Sequence, residues 1–165
     1  HRASHRFQWM WRVHRTHHSD PKGDATSTYR THAIEFAWLF GGKSLIAIGL
    51  GVNPVYALAY DVLVGLLGSY YHSNIRVIES LDRCVRTVFV TQRWHLSHHS
   101  SDIRYTNMNY CTFFTFWDRL FGTARMAPDP AKICFGITQL DGAQWQSFTG
   151  LWTTPFRNPA RQDVP

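Results

Sequence analysis

"AIEFAWLFGGKSLIAIGLGVNPVYALAYDVLVGLLGSYY", residues 33–71, carries only three charged side chains: Glu35, Lys43 and Asp61. The "GVNP" at 51–54 divides it, because Asn-Pro marks a turn and Pro54 suits the first position of a helix. The spacing predicts two apolar helices, 33–50 and 54–71. Each would hold about 18 residues and run about 27 Å at 1.5 Å per residue, the lower limit for crossing a bilayer. A connection this short makes them antiparallel neighbours. The reading that follows is an all-α fold, a helical integral membrane domain with a transmembrane or re-entrant hairpin. A hairpin buried in a soluble four-helix core has the same hydrophobicity and is the alternative. The flanks favour the membrane. Arginine-rich segments lie before and after the hairpin and its tip, 51–53, is uncharged, so both ends should face the cytosol.

Both flanks carry histidines in one pattern. "WRVHRTHHSD" (11–20) and "QRWHLSHHSS" (92–101) each contain H-x-x-H-H, and the chain opens on "HRASH". Positions i, i+3 and i+4 share a helix face. His14, His17 and His18 therefore point one way, as do His95, His98 and His99, while His1 and His5 stand at i and i+4. Two histidines so spaced grip a metal from one helix face. A lone histidine is more often a satisfied surface or core residue, but all ten here fall into short motifs, the others being His32 in "YRTHAIE" and His72 in "YYHSN". Four to six ligands saturate a first-row metal. Eight clustered imidazoles exceed one ion's need and favour two.

Residues 1–18 read as helical, without Gly or Pro. On one straight helix His14 would lie roughly 220° around from His1 and about 20 Å along the axis. A shared site therefore requires a bend between His5 and His14. "SDPKGD" (19–24) is a turn. Helix is expected around 76–90, a loop at "IRYTNMNY" (103–110), and a short interfacial helix at "FFTFWDRLFG" ended by Gly122. The tail beyond Pro128 shows no periodicity. The organisation expected is a catalytic domain over 1–128 and a C-terminal extension over 129–165. Residue 1 lies inside a motif, so the chain reads as lacking an N-terminal portion.

The net charge of +6 comes from fourteen Arg and three Lys against eleven acids. The arginines are dispersed and no nucleic-acid signature accompanies them, so no nucleic-acid partner is expected. Cys84, Cys111 and Cys134 lack C-x-x-C spacing and argue against a disulfide scaffold or a thiolate zinc site. Imidazole suits Zn, Cu, Fe and Ni alike. Location narrows the chemistry, since a metal pair at the mouth of an apolar hairpin would meet lipid-like substrates. Oxidising an unactivated C–H bond requires O₂ activation by a redox metal. Hydrolytic zinc would call for the Glu of H-E-x-x-H, which "HRTHH" and "HLSHH" lack.

In order, "HRASH", "WRVHRTHHSD", "TYRTHAIE", "YYHSN", "RWHLSHH", "NY" (109–110) and "WDRLFGT" resemble the fatty acid hydroxylase superfamily, the sterol desaturase-like membrane oxygenases, over about residues 1–125. Bacterial-type members look most similar, which favours a bacterial inner membrane over the endoplasmic reticulum. The resemblance implies two iron ions on the cytosolic side (zinc can load in recombinant protein). It implies O₂-dependent hydroxylation or desaturation of a sterol-type or fatty acyl lipid drawn from the bilayer. A separate electron-transfer protein or reductase would supply electrons. It makes His1, His5, His14, His17, His18, His95, His98 and His99 ligands, with His72 a ninth and His32 either a ligand or a partner of one. Ala33, Gln92 and Cys111 depart from residues common in the family pattern, and none of them removes a ligand.

Carboxylates should fix the imidazole tautomers by accepting the distal N–H. Glu35, Asp61 and Asp118 are the candidates. A surface salt bridge is the bland reading for Asp118, and capping or snorkelling for Asp61 and Lys43. The competing function is a non-catalytic, zinc-stabilised membrane domain.

Overall fold

A computed structural model describes residues 1–129 and 132–157. Their regular structure is helical, joined by turns, irregular segments and one isolated antiparallel bridge, Phe89 with Phe114. The N-terminal helical stretch is two helices, α1 (Arg2–Arg6) and α2 (Gln8–His18). Phe7 separates them in an extended conformation, φ −99° and ψ 121°. Its N–H still closes α1 on the Ala3 carbonyl, and its carbonyl accepts from Trp11 to open α2. The bend required between His5 and His14 is therefore made by one ordinary residue. Burial of histidines on both sides drives it, without a helix-breaking side chain.

A 3₁₀ turn, Ala25–Tyr29, leads to α3 (Ala33–Gly49) and α4 (Pro54–Tyr71). Asn53 caps α4 by accepting from the Val55 amide at 2.9 Å, with Pro54 in the first turn. The two helices fold back on one another, and Lys43 on α3 pairs with Asp61 on α4 midway along the hairpin. Both ends of the hairpin meet the histidines. Glu35 sits in the first turn of α3 and His72 is the C-cap of α4. The tip lies roughly 20 Å away along α3, at ~1.5 Å per residue.

No helix among the described residues is long and apolar enough to cross a membrane. Of the expected hairpin, the helical pair is present, and a membrane span is not shown. Each apolar run is interrupted by a charge, and α3 ends at Gly49. The hairpin is nevertheless apolar outside: Leu45, Ile46, Ile48, Leu50, Val55 and Leu58 are all more than 60% exposed. A surface like this marks an interaction or membrane site. The apolar core is small by contrast. It centres on Tyr71, Val90 and Trp94, with Leu67, Tyr70, Cys111 and Met126 packed around them. Most other buried side chains are polar.

After α4 come α5 (Glu79–Val85), α6 (Gln92–His98), α7 (Ile103–Thr106) and α8 (Phe116–Leu120). The helix expected over 76–90 is shorter, because Val88 and Val90 pair with the backbone of Thr115 and Phe113 instead. The loop expected at 103–110 begins with a turn of helix capped by Asp102. Gly122, at φ +68°, ends α8. In the tail, Ala143–Trp145 is a 3₁₀ turn, α9 spans Phe148–Thr153, and Thr154–Phe156 turns onto α2. The wholly buried Arg15 of α2 donates to the carbonyls of Thr154 (2.5 Å) and Arg157 (2.9 Å). Gly136, at φ +84°, passes so close to Pro21 that a Cβ there would lie 3.1 Å from its Cα. Residues 130–131 and 158–165 of the expected C-terminal extension lie outside the described residues.

Asp118 joins α8 to the rest. It accepts from the amides of Tyr110 (2.8 Å) and Cys111 (3.1 Å), from Thr123 Oγ1 (2.7 Å) and from Trp94 Nε1 (3.2 Å). Replacing it by Ala would strand several buried donors. Asp118→Ala is expected to lower the unfolding free energy by about 3 kcal/mol or more. Arg83→Ala on exposed α5 should stay within about 0.5 kcal/mol. Denaturant unfolding of the two variants side by side measures both.

Candidate metal centre

The two H-x-x-H-H motifs lie on α2 and α6, and the structure divides each between two groups. His1, His5, His14, His18 and His98 form one; His17, His72, His95 and His99 form the other. Within each group the candidate ligand atoms lie within 4.8 Å of one another. The first motif gives two histidines to the five-membered group and one to the four-membered group, and the second motif does the reverse. Neighbours in sequence are about 100° apart on a helix, so a face shared by i and i+4 leaves the remaining histidine turned aside. The groups touch: the His18 and His99 rings stack at 4.3 Å with 19° between planes, and the His98 and His99 rings lie 5.3 Å apart.

In the five-membered group the outward nitrogens are held. His1 Nδ1 contacts the Tyr110 carbonyl at 2.7 Å, and His98 Nδ1 the Met108 carbonyl at 2.7 Å. His5 Nδ1 lies 3.3 Å from Asn107 Oδ1, and His14 Nδ1 lies 2.6 Å from Glu35 Oε1. Carbonyls and carboxylates accept, so each Nδ1 is the protonated nitrogen and each Nε2 carries a lone pair. The Nε2 atoms of His5, His14, His18 and His98 are buried without a hydrogen-bond partner among the described residues. Four buried, unpaired nitrogens converging on one point are the donor set of a cation site.

The four-membered group makes the same demand. His72 Nδ1 contacts the Gly68 carbonyl at 2.8 Å and Thr28 Oγ1 at 3.1 Å. Its Nε2 lies 3.1 Å from both His95 Nε2 and His99 Nε2, which are themselves 3.1 Å apart. The His72 nitrogen is a lone pair, and hydrogens cannot satisfy a triangle of ring nitrogens completely. A cation over the triangle can. Edges of 3.1 Å correspond to bonds of roughly 2.2 Å for cis octahedral ligands, or roughly 1.9 Å for tetrahedral ones, bracketing the ~2.0–2.1 Å usual for imidazole on a first-row metal. His17 completes the group. Its ring is held by a backbone bond to Ser27, and its Nδ1 is the buried, unpaired atom.

Burial, reinforced by neighbouring imidazoles, pushes the clustered rings below their ordinary pKa. His5 and His17 fall to about 3, and His14, His18, His95, His98 and His99 fall well below 6.5. The rings are therefore held neutral, the form that binds metal. Burial raises the Glu35 carboxyl to about 7.

The other residues singled out in the sequence have different partners. His32 belongs to neither group. Its Nδ1 caps α3 by accepting from the Ile34 amide at 3.1 Å, and its Nε2 lies 3.1 Å from the Trp152 carbonyl. Asp61 pairs with Lys43, far along the hairpin. Asp118 holds the backbone at 110–111 rather than an imidazole. Of the three carboxylates, Glu35 reaches a clustered histidine. Sequence reasoning missed most Nδ1 partners, because those of His1, His98 and His72 are main-chain carbonyls. Asn107 lay within the loop already noted, but nothing marked its side chain. A cavity of about 250 Å³ reaches one ring of each group, His18 and His99, between Ser100, Asn107 and the tail at Gly136.

Two adjacent all-histidine groups, mostly buried in a helical protein beside an apolar hairpin, have the donor set of a histidine-ligated metal centre. The chain belongs to the fatty acid hydroxylase family, whose sequence model matches residues 1–123. It is 30% identical to the ornithine lipid hydroxylase OlsE of Rhizobium tropici, over 99% of this chain and 48% of that protein. It is 28% identical to the alkylglycerol monooxygenase of Xenopus tropicalis, over 84% of this chain and 29% of that protein. Human cholesterol 25-hydroxylase is 27% identical, over 80% and 48%. The chain thus spans half or less of the length of these relatives. No solved structure matches it.

The crossed groups predict a pattern for metal analysis. His98→Ala should empty the five-histidine group and His99→Ala the four-histidine group, each leaving about one ion per chain by elemental analysis. Loss of both ions from either variant would argue for one undivided site. Acid should act through the same rings. Their folded pKa values lie below 6.5, so the unfolded chain takes up protons first as pH falls. Stability contributed by the neutral rings is complete above about 6.5 and declines as pH drops towards 3. Melting temperature and bound metal, followed together from pH 7 to 4, should fall in parallel.

Proposed function

We propose that the protein is an O₂-dependent oxidoreductase that hydroxylates a C–H bond of a lipid, using two iron ions held by His1, His5, His14, His18 and His98 and by His17, His72, His95 and His99. The observation that carries this reading is the pairing of two touching, buried histidine groups in a chain of the fatty acid hydroxylase family. Bound there, redox iron would supply O₂ activation, which zinc does not. The relatives, lipid hydroxylases and a monooxygenase by name, favour hydroxylation over desaturation.

The chain's own residues prepare the site. Glu35 and the carbonyls of Met108, Tyr110 and Gly68 hold the imidazole N–H groups outward, so the lone pairs meet inward without rearrangement. Burial keeps the rings neutral and water sparse. The exposed apolar side chains of α3 and α4 support a hairpin that dips into one face of a bilayer, with Glu35 and His72 at its base. Lipid would then approach from the hairpin side. Electrons from a separate protein or reductase would enter on the cytosolic side, where the cavity against His18 and His99 opens. We assign the catalytic unit to residues 1–128, and the location to a membrane with the site facing the cytosol, a bacterial inner membrane ahead of the endoplasmic reticulum.

The test uses full-length protein reconstituted in lipid with ferrous iron, an electron donor and ¹⁸O₂. Label in the lipid product is expected. A new double bond without label would change the assignment to desaturation. Lipid turnover without O₂, or tight zinc with no turnover after iron loading, would replace the proposal with another reaction or with a non-catalytic zinc domain.

A further inference from the structure

One short turn supports three of the five rings in the first histidine group. The Met108 carbonyl holds His98, the Tyr110 carbonyl holds His1, and Asn107 Oδ1 holds His5. Between the two carbonyls stands Asn109, the sole non-glycine residue at positive φ (57°) among the described residues. Left-handed backbone disfavours most L-residues, and Asn tolerates it better than most. Asn109 is also wholly buried, and its side chain is fully used. Nδ2 donates to the carbonyls of Trp94 (3.1 Å) and Arg125 (2.6 Å), and Oδ1 accepts from the Arg125 amide at 2.8 Å. The backbone amide of Asn109 donates to the Thr123 carbonyl at 2.8 Å. Trp94 immediately precedes His95 on α6, so Asn109 ties this turn directly to the helix that carries His98.

We infer that Asn109 is a positioning residue for the five-histidine group: it locks the 107–110 turn so that His1, His5 and His98 are held with Nδ1 protonated and Nε2 facing the metal. The inference rests on the reading that each group holds an ion. The rings that the 107–110 turn holds directly all belong to one group. The four-histidine group takes its ring partners elsewhere, from Gly68 and Thr28 for His72 and from Ser27 for His17. Outer hydrogen-bond partners of metal-bound histidines commonly govern affinity by about ten- to a hundredfold. Weakening the turn should therefore desaturate one ion and spare the other.

The experiment titrates anaerobic ferrous iron into the full-length protein and counts iron per folded chain, with helicity measured in parallel. Wild type should take up two irons. Asn109→Ala should hold one at wild-type affinity and the other at least about tenfold more weakly. Asn109→Gly, which accepts the backbone angle but lacks the side-chain bonds, should lie between. Asn107→Ala should weaken the same iron through His5 alone, and Asn107→Asp, which keeps an acceptor there, should restore it. Adding His72→Ala to Asn109→Ala should remove the iron that remained. Wild type binding fewer than two irons would overturn the proposed function, and this inference with it. Two irons in wild type, with Asn109→Ala and Asn107→Ala unchanged or losing both irons in parallel, would overturn this inference alone. If Asn109→Ala fails to fold, the Asn107 pair decides the matter: weakening by Ala with rescue by Asp supports the inference, and no difference between them rejects it.

Discussion

Nine imidazoles gathered into two touching groups, most of them buried, impose the constraint from which the architecture follows. His1, His5, His14, His17, His72 and His98 each spend one nitrogen on a partner outside the cluster, which leaves the other free to turn inward. Facing lone pairs repel one another, so the packing is favourable only around positive charge. This single demand accounts for the extended Phe7 between α1 and α2, which brings His5 and His14 to the same point. It accounts for the placement of Glu35 and His72 together at the base of one hairpin, where its chain enters and leaves. It also explains why the buried interior is mostly polar while leucines and isoleucines of α3 and α4 lie outside. The protein places its polar groups where other folds keep their apolar core, and only a small aromatic cluster around Trp94 does conventional packing.

The sequence disclosed features that depend on spacing and concealed those that depend on partners. Hairpin limits of 33–50 and 54–71 match α3 and α4 closely, because hydropathy and Asn53-Pro54 are local signals. The bend near Phe7 was legible from helix geometry even though no Gly or Pro marks it. The 76–90 stretch was overextended as helix, since the pairing of Val88 and Val90 with residues 113–115 is a long-range choice. Among the carboxylates, sequence offers the acid but not its neighbour. Glu35 meets His14, Asp61 meets Lys43, and Asp118 gathers backbone amides. The division of each H-x-x-H-H between two groups was also hidden. It arises from how α2 and α6 face one another, and neither helix encodes that alone.

Membership of the fatty acid hydroxylase family and the histidine geometry reinforce one another through different evidence. The family rests on sequence over residues 1–123. The metal-binding character rests on unpaired ring nitrogens and on the 3.1 Å triangle formed by His72, His95 and His99. The relatives named here act on substrates as different as an ornithine lipid, an alkylglycerol and cholesterol. The hairpin surface and the tail are the segments of this chain that can differ without disturbing a ligand.

The way the tail is fastened bears on that freedom. Arg15 holds the main-chain carbonyls of Thr154 and Arg157, and His32 reaches that of Trp152. Every one of these acceptors is a peptide oxygen, which any amino acid provides. Mutational drift can change the side chains at 152, 154 and 157 while leaving these clasping bonds intact, so long as Arg15 and His32 stay in place. Kinship between such proteins would then fade from their C-terminal sequences well before it faded from their shape.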